Sequence, residues 1–314
     1  MNPLHQLAKI LPQPLQDLLY LAALGQLAPR PRTYDRYDQL RWYLGYSLRL
    51  DRETIITLLN EDPLPPRYRY RHFTIPKKNG QPRHITAPGP DLKQVQRRLL
   101  KRFLRRPKPH PAATAFQKGK SIATHAWTHA GQNIIITADI QDFFPNTSSW
   151  RINHWWQDQN YDDDQALLLT RLTTYLGALP QGAPTSPALS NLVNHPLDVA
   201  LARRAAQSGG RYTRYADDLV FSWARHQRPP SDFRHGVITA LRQHGYNLHP
   251  HKGWGIWHKA DEPIITGLVL KRNGRVDLPP SLKKAFQELE KRAEPAEQQR
   301  LNGYRGYYQM IQNQ

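Results

Sequence analysis

Cysteine is absent from this 314-residue chain, which excludes disulfides and thiolate metal sites. No apolar run approaches the length of about 20 residues that a membrane span needs. The opening residues, Met1-Asn-Pro-Leu-His-Gln6, lack the charged and apolar regions of a secretory signal, so an intracellular, soluble protein is expected. There is no internal repeat and no long low-complexity segment. Acidic residues are scarce: 25 stand against 44 Lys and Arg, a formal charge of +19. Such an excess favours a polyanionic partner, because each neutralised phosphate releases condensed counterions, although charge alone does not separate nucleic acid from an anionic membrane. The 14 histidines are scattered, and His249-Pro250-His251 lacks the further ligands that zinc would require. The length suffices for a substantial core, as one multi-lobed unit or two domains.

What is present is concentrated around Tyr215-Ala216-Asp217-Asp218, set between the short apolar runs 211–214 and 219–222. The flanks read as two β-strands, so the aspartates fall at a hairpin tip. Adjacent carboxylates on a rigid turn suit a divalent cation, although aspartate is also an ordinary turn residue. A third carboxylate, Asp139, ends the run Ile134-Ile135-Ile136-Thr137-Ala138. Three carboxylates delivered by two strands suit two-metal phosphoryl transfer: one Mg²⁺ lowers the pKa of an attacking hydroxyl, and the other holds a triphosphate and stabilises the leaving oxygen.

Along the chain, Leu4, Leu7, Leu11, Leu15, Leu18 and Leu19 recur at helical spacing, as do Tyr37, Leu40, Tyr43 and Leu44. The segment Asp62-Pro63-Leu64-Pro65-Pro66 marks a boundary. Residues 69–86 read as a hairpin turning at Asn79-Gly80. Leu92, Val95, Leu99 and Phe103 define a helix with Asp91 as expected N-cap, while Lys93, Arg97, Lys101 and Arg105 form a basic opposite face that either tracks a nucleic-acid backbone or is merely solvated. From Ile134 onward, strands and helices alternate as in an α+β layer. Helical spacing returns over 281–293 and again at Leu301, Tyr304, Tyr308 and Ile311.

In this order, the segments resemble those of reverse transcriptases, and among them the bacterial retron type. The blocks are Phe73–Ile85, Ala115–Ile122, Ala138–Pro145, Leu179–Asn191, Tyr215–Asp218, Gly245–Lys252 and Ile265–Val269. The most specific is Leu179-Pro-Gln-Gly-Ala-Pro-Thr-Ser-Pro-Ala-Leu-Ser-Asn191. The resemblance implies a right-hand polymerase with an N-terminal helical region over 1–62, fingers over 63–132, palm over 133–272 and helical thumb over 273–314. It implies that Asp139, Asp217 and Asp218, with the Ile140 carbonyl, bind two Mg²⁺ (Mn²⁺ as substitute). Lys77, Arg83, Asp142, Phe144, Gln181 and Lys252 would contact the incoming dNTP, with Phe144 beneath the sugar to exclude a 2′-hydroxyl. Gly267 would lie in the turn holding the primer end. Arg97, Lys101, His129, Lys283 and Lys284 would bind RNA.

Two departures stand out. The family's Asn-Ala-x-x-His reads His125-Ala126-Trp127-Thr128-His129 here, and its usual asparagine before Lys252 is His249. The implied activity is RNA-templated DNA synthesis on a cognate structured non-coding RNA, yielding RNA-linked DNA in the bacterial cytoplasm. An anti-phage role with a separately encoded effector and no membrane partner is also implied. The alternatives are another bacterial reverse transcriptase (group II intron-like, diversity-generating or phage-exclusion), a non-catalytic RNA-binding scaffold, or an RNA-dependent RNA polymerase.

Overall fold

The structure, a computed structural model, describes residues 35–76, 80–292 and 297–312. The helical spacing at Leu4–Leu19 lies outside the described residues, as do Lys77 and Asn79 of the expected turn. The chain divides into two compact units, neither continuous in sequence. One comprises residues up to Lys108 with Phe144–Val193, the other Pro109–Phe143 with Asn194–Gln314. Residues 144–193, assigned to the palm by sequence, thus share a unit with the hairpin assigned to the fingers.

In the first unit, β1 (Tyr70–Pro76) and β2 (Pro82–Pro88) form the expected antiparallel hairpin, with Phe73 opposite Ile85. A helix over Pro90–Leu99 follows. Asp91 is not its N-cap: Gly89 takes that place, Pro90 opens the helix, and Asp91 falls in the first turn. Proline fits there because the first turn's N–H groups have no intrahelical acceptor, and a carboxylate one residue later still faces the positive helix end. Leu92, Val95 and Leu99 are buried while Lys93 and Arg97 are exposed. A π-helical turn over Leu100–Leu104 continues the pattern, with Phe103 inside and Lys101 outside. These residues pack with Leu44, Leu48, Ile55, Leu168, Leu172 and Leu189 in one apolar cluster.

The second unit is organised on a four-stranded antiparallel sheet in the order β4–β5–β3–β6, formed by Arg211–Tyr215, Asp218–Trp223, Ile134–Asp139 and Gly255–His258. Alternation along the strands sends successive side chains to opposite faces. Ile136, Ala138, Leu219, Phe221 and Trp223 pack with Leu197, Leu201, Phe233, Val237 and Leu241, from the helices His195–Ala206 and Phe233–Gln243. Ile135 and Val220 point the other way, into a cluster with Ala123 and Ala126 of the Ile122–His129 helix and with Ile265, Leu268 and Ile311. That helix starts on a Ser121/Thr124 capping box. A three-stranded sheet follows, built from β7 (Ile264–Ile265), β8 (Leu268–Leu270) and β9 (Val276–Asp277). Two helices close the chain, Pro280–Arg292 and Gln298–Gln312, with Phe286 stacked on Tyr304 and Tyr308.

Candidate active site

The β4–β5 turn contains only Ala216 and Asp217, because Tyr215 pairs with Asp218. Ala216 takes φ +57°, in the left-handed region that two-residue hairpin turns require and glycine normally fills. Asp218 is therefore the first residue of β5 rather than part of the turn. It pairs directly with Asp139 at the end of β3. Paired residues of antiparallel strands share a face, so the two carboxylates lie on the same side as Ile135 and Val220. The Ile140 N–H donates to the Asp217 carbonyl at 3.0 Å, which ties the turn to the strand carrying Asp139.

This arrangement is electrostatically unfavourable without a cation. Burial first, then the carboxylates of Asp217 and Asp139, push Asp218 up to about 7, and the Lys252 charge only partly opposes them. Burial and Asp217 also raise Asp139, against Lys252 and His249. Hard carboxylate oxygens converging with mutual repulsion are the donor set that Mg²⁺ or Mn²⁺ satisfies. Among the described residues, no trio of acidic or histidine side chains is drawn together tightly enough to enclose an ion by itself. Catalytic Mg²⁺ sites of this kind leave coordination positions for substrate phosphates and water. A cavity of about 170 Å³ beside the carboxylates is lined by Thr137, Asp139, Asp218, Lys252 and Thr266 among others.

The segment carrying Lys252 is fixed to the same strand end. The His249 N–H donates to the Asp139 carbonyl at 2.8 Å, and the Gln141 N–H donates to the Asn247 carbonyl at 3.0 Å. Neither bond uses the Ile140 carbonyl. Asp142 follows on an exposed residue with φ +45°. The second unit thus brings together Asp139, Ile140, Asp217, Asp218 and Lys252.

Arg83, Phe144 and Gln181 belong to the first unit. Arg83 is exposed on β2, and Phe144 is half-buried against that unit's core. The Gln181 carbonyl accepts the Thr86 N–H at 2.8 Å, joining the Pro180-Gln181-Gly182 turn to β2. Gly182 has φ +133°, and a Cβ there would stand 2.9 Å from Ile85 Cγ2 and 3.0 Å from the Thr86 carbonyl oxygen. Only glycine allows that approach.

Of the residues assigned to RNA, Arg97 and Lys101 are exposed. Lys284 is exposed, with Glu288 at 3.9 Å, and Lys283 is paired with Asp277 at 2.9 Å. His129 is a correction. It is fully buried, with Nδ1 2.7 Å from Ser222 Oγ and Nε2 2.7 Å from Thr213 Oγ1. It therefore has no face to offer an RNA and instead ties its helix to β4 and β5. His125 lies beside it, equally buried, with Nδ1 2.7 Å from Thr213 Oγ1 and 3.1 Å from Thr114 Oγ1. Burial drives His125 down to about 3 and His129 well below its usual value, so both rings are neutral at physiological pH.

Sequence reasoning missed Arg214 and Asp198. Both are fully buried, joined Nε to Oδ1 at 2.8 Å and Nη2 to Oδ2 at 2.7 Å. In sequence they are one basic and one acidic residue 16 positions apart, with no motif linking them.

The paired carboxylates thus fall in the blocks Ala138–Pro145 and Tyr215–Asp218 that carry the resemblance to reverse transcriptases. The model of the reverse transcriptase (RNA-dependent DNA polymerase) family matches residues 75–260, and the chain belongs to that family. Its relatives within the family include retron enzymes. It is 35% identical over 233 residues to the retron Mx162 reverse transcriptase of Myxococcus xanthus, covering 66% of this chain and 48% of that protein. It is 36% identical over 207 residues to the retron Ec86 reverse transcriptase of Escherichia coli, covering 65% and 64%. The chain thus spans about half to two thirds of the length of these curated relatives. A solved structure of telomerase from Candida albicans, in complex with a fragment of telomeric RNA, superposes with a TM-score of 0.48 at 10% identity, over 71% of this chain and 50% of that one.

Proposed function

We propose that this chain is an RNA-directed DNA polymerase of the retron type, extending a hydroxyl of its own structured RNA with deoxynucleotides. The observation that carries the reading is the register pairing of Asp139 with Asp218, beside Asp217 on a fixed turn and Lys252 at the same strand end. Asp139, Asp217 and Asp218, with the Ile140 carbonyl, are the residues that would hold Mg²⁺ or, in its place, Mn²⁺. When bound, the metal supplies Lewis acidity to the attacking hydroxyl and to the triphosphate.

The protein's own groups then position and select. Lys252, which lines the same cavity as Asp139 and Asp218, is assigned to the charge developing on departing pyrophosphate. Lys77 and Arg83 are assigned to the triphosphate, and Arg can grip it bidentately. Phe144 is assigned to the sugar's 2′ position, Gln181 to the sugar edge, and Asp142 to the nucleotide. Residues 1–62, 63–132, 133–272 and 273–314 are read as N-terminal region, fingers, palm and thumb. Arg97, Lys101, Lys283 and Lys284 supply positive surface for an RNA read by shape and backbone. A role in anti-phage defence with a separately encoded effector, in the bacterial cytoplasm, belongs to the same reading.

The test is to purify the protein from cells carrying its native locus, strip the bound nucleic acid, and resolve it on a denaturing gel with and without RNase. A discrete short DNA whose mobility shifts after RNase or a 2′,5′-debranching enzyme, and which vanishes with Asp217→Asn/Asp218→Asn, is the expected result. Bound RNA with no attached DNA would overturn the retron reading. Absence of primer extension by the purified protein would overturn the polymerase reading altogether.

A further inference from the structure

Arg214 uses three of its five donors, and only two of them go to Asp198. The third, Nη1, donates to the Ala216 carbonyl at 3.1 Å. That carbonyl belongs to the peptide joining Ala216 to Asp217. The next carbonyl along, that of Asp217, is taken by the Ile140 N–H. Two of the three peptide groups of the turn that presents the carboxylates are therefore held, one by a side chain from β4 and one by the backbone leaving β3.

The side chain that does the holding is itself fixed on every side. Asp198, on the His195–Ala206 helix, receives it bidentately and also accepts the Tyr212 hydroxyl at 2.8 Å. The Phe143 ring lies under the guanidinium, 5.4 Å from its central carbon. The Arg214 main chain donates to the Ala112 carbonyl and accepts from the Thr114 N–H, each at 2.8 Å. A buried ion pair gains little over packed apolar side chains of equal volume, because both charges must be desolvated. An ion pair alone would thus be a poor reason for an arginine here. A planar fork that reaches the carboxylate and the turn carbonyl together is something lysine and apolar residues cannot supply. Ala216, moreover, sits at φ +57°, where a residue with a Cβ is disfavoured and depends on its surroundings to hold it.

We infer that Arg214, oriented by Asp198, is a positioning residue for the polymerase site: it sets the Ala216–Asp217 peptide and through it the placement of the Asp217 and Asp218 carboxylates. The inference rests on the catalytic reading above, so the test needs one readout that does not depend on DNA synthesis. Arg214→Met with Asp198→Leu removes both buried charges together, and leaves the Tyr212 hydroxyl and the Ala216 carbonyl without the partners they have here. Arg214→Lys keeps a charge for Asp198 but lacks the fork that also reaches Ala216, and it serves if the double variant does not fold.

The expected result is a folded variant in which the Ile140 amide exchanges with solvent at least about tenfold faster, while the Ile135 and Ile136 amides keep their protection. Its kcat for primer extension should fall by about a hundredfold, with the dNTP KM essentially unchanged. An Ile140 amide as protected as in the parent overturns the inference, whatever happens to activity. So does a kcat equal to the parent's. If the parent itself makes no DNA, the catalytic reading fails and the Ile140 exchange comparison alone decides whether Arg214 sets the turn.

Discussion

Asp139 and Asp218 stand directly opposite one another at the last rung of the β3–β5 ladder. Like charges at directly opposed positions destabilise a sheet, so the fold carries this pair at a cost that a bound cation removes. Asp218→Asn should therefore do two opposite things. It should raise the melting temperature of the metal-free protein and abolish the stabilisation that Mg²⁺ gives the parent. It should also lower primer extension by about a thousandfold or more, as loss of several kcal/mol of metal-borne stabilisation requires. Melting curves with and without Mg²⁺, run beside extension assays, check both directions.

The same pair sets a pH dependence. Asp218 is raised from 3.8 to about 7 in the folded, metal-free protein. Between those values the native state holds a proton that the unfolded chain does not, so stability falls as pH rises through that window. Metal binding must displace the proton, so Mg²⁺ or Mn²⁺ affinity should weaken by about tenfold per pH unit below 7. Titration of Mn²⁺ binding between pH 5.5 and 8 would show it. An affinity flat across that range contradicts the assignment.

Much of this was legible in the sequence, and the exceptions have physical reasons. The β1–β2 hairpin, the strand ending in Asp139 and the Tyr215–Asp218 hairpin follow from period-two patterning and turn chemistry, which are local properties. The pairing of Asp218 with Asp139 depends on the β3–β5 register, which period-two patterning alone leaves open, although the convergence of the three carboxylates was readable. Arg214 and Asp198 were not, because nothing local distinguishes a buried charge from the many exposed ones in a chain of this basicity. His129 misled for a similar reason: a histidine in a helix reads equally as a surface contact or a buried link, and only its neighbours Thr213 and Ser222 decide.

His129→Leu is accordingly a stability variant. Removing the imidazole leaves the Ser222 hydroxyl without its buried partner, at about 1–3 kcal/mol, while the Thr213 hydroxyl keeps His125. Thermal melting should register that loss, while RNA affinity measured well below the transition stays at the parent's value. Weaker RNA binding at an unchanged melting temperature would return His129 to the RNA surface.

At Gly182, an alanine would have to adopt φ +133° and move the Thr86 carbonyl, 3.0 Å from the new Cβ. Gly182→Ala should cost about 1–3 kcal/mol and loosen the Gln181–Thr86 bond, seen as faster exchange of the Thr86 amide.

Phe144→Ala tests the sugar assignment. Preference for deoxynucleotides over ribonucleotides should drop by at least about tenfold, measured as a ratio of kcat/KM values. An unchanged ratio with lowered stability would make Phe144 a core residue only.

The order of strands in the second unit has a consequence for how the protein is made. β3 lies at the centre of its sheet, between β5 and β6, yet both neighbours come later in the chain. As the polypeptide leaves the ribosome, Ile134-Ile135-Ile136 is an apolar strand with two unpaired edges, and it stays so while the whole of 144–193 is synthesised. Long-range pairings of this kind form slowly and expose aggregation-prone strands meanwhile. The aspartate at the strand's end thus emerges well before its partners, and the span from β3 to β5 is the interval in which a nascent chain most needs a chaperone's cover.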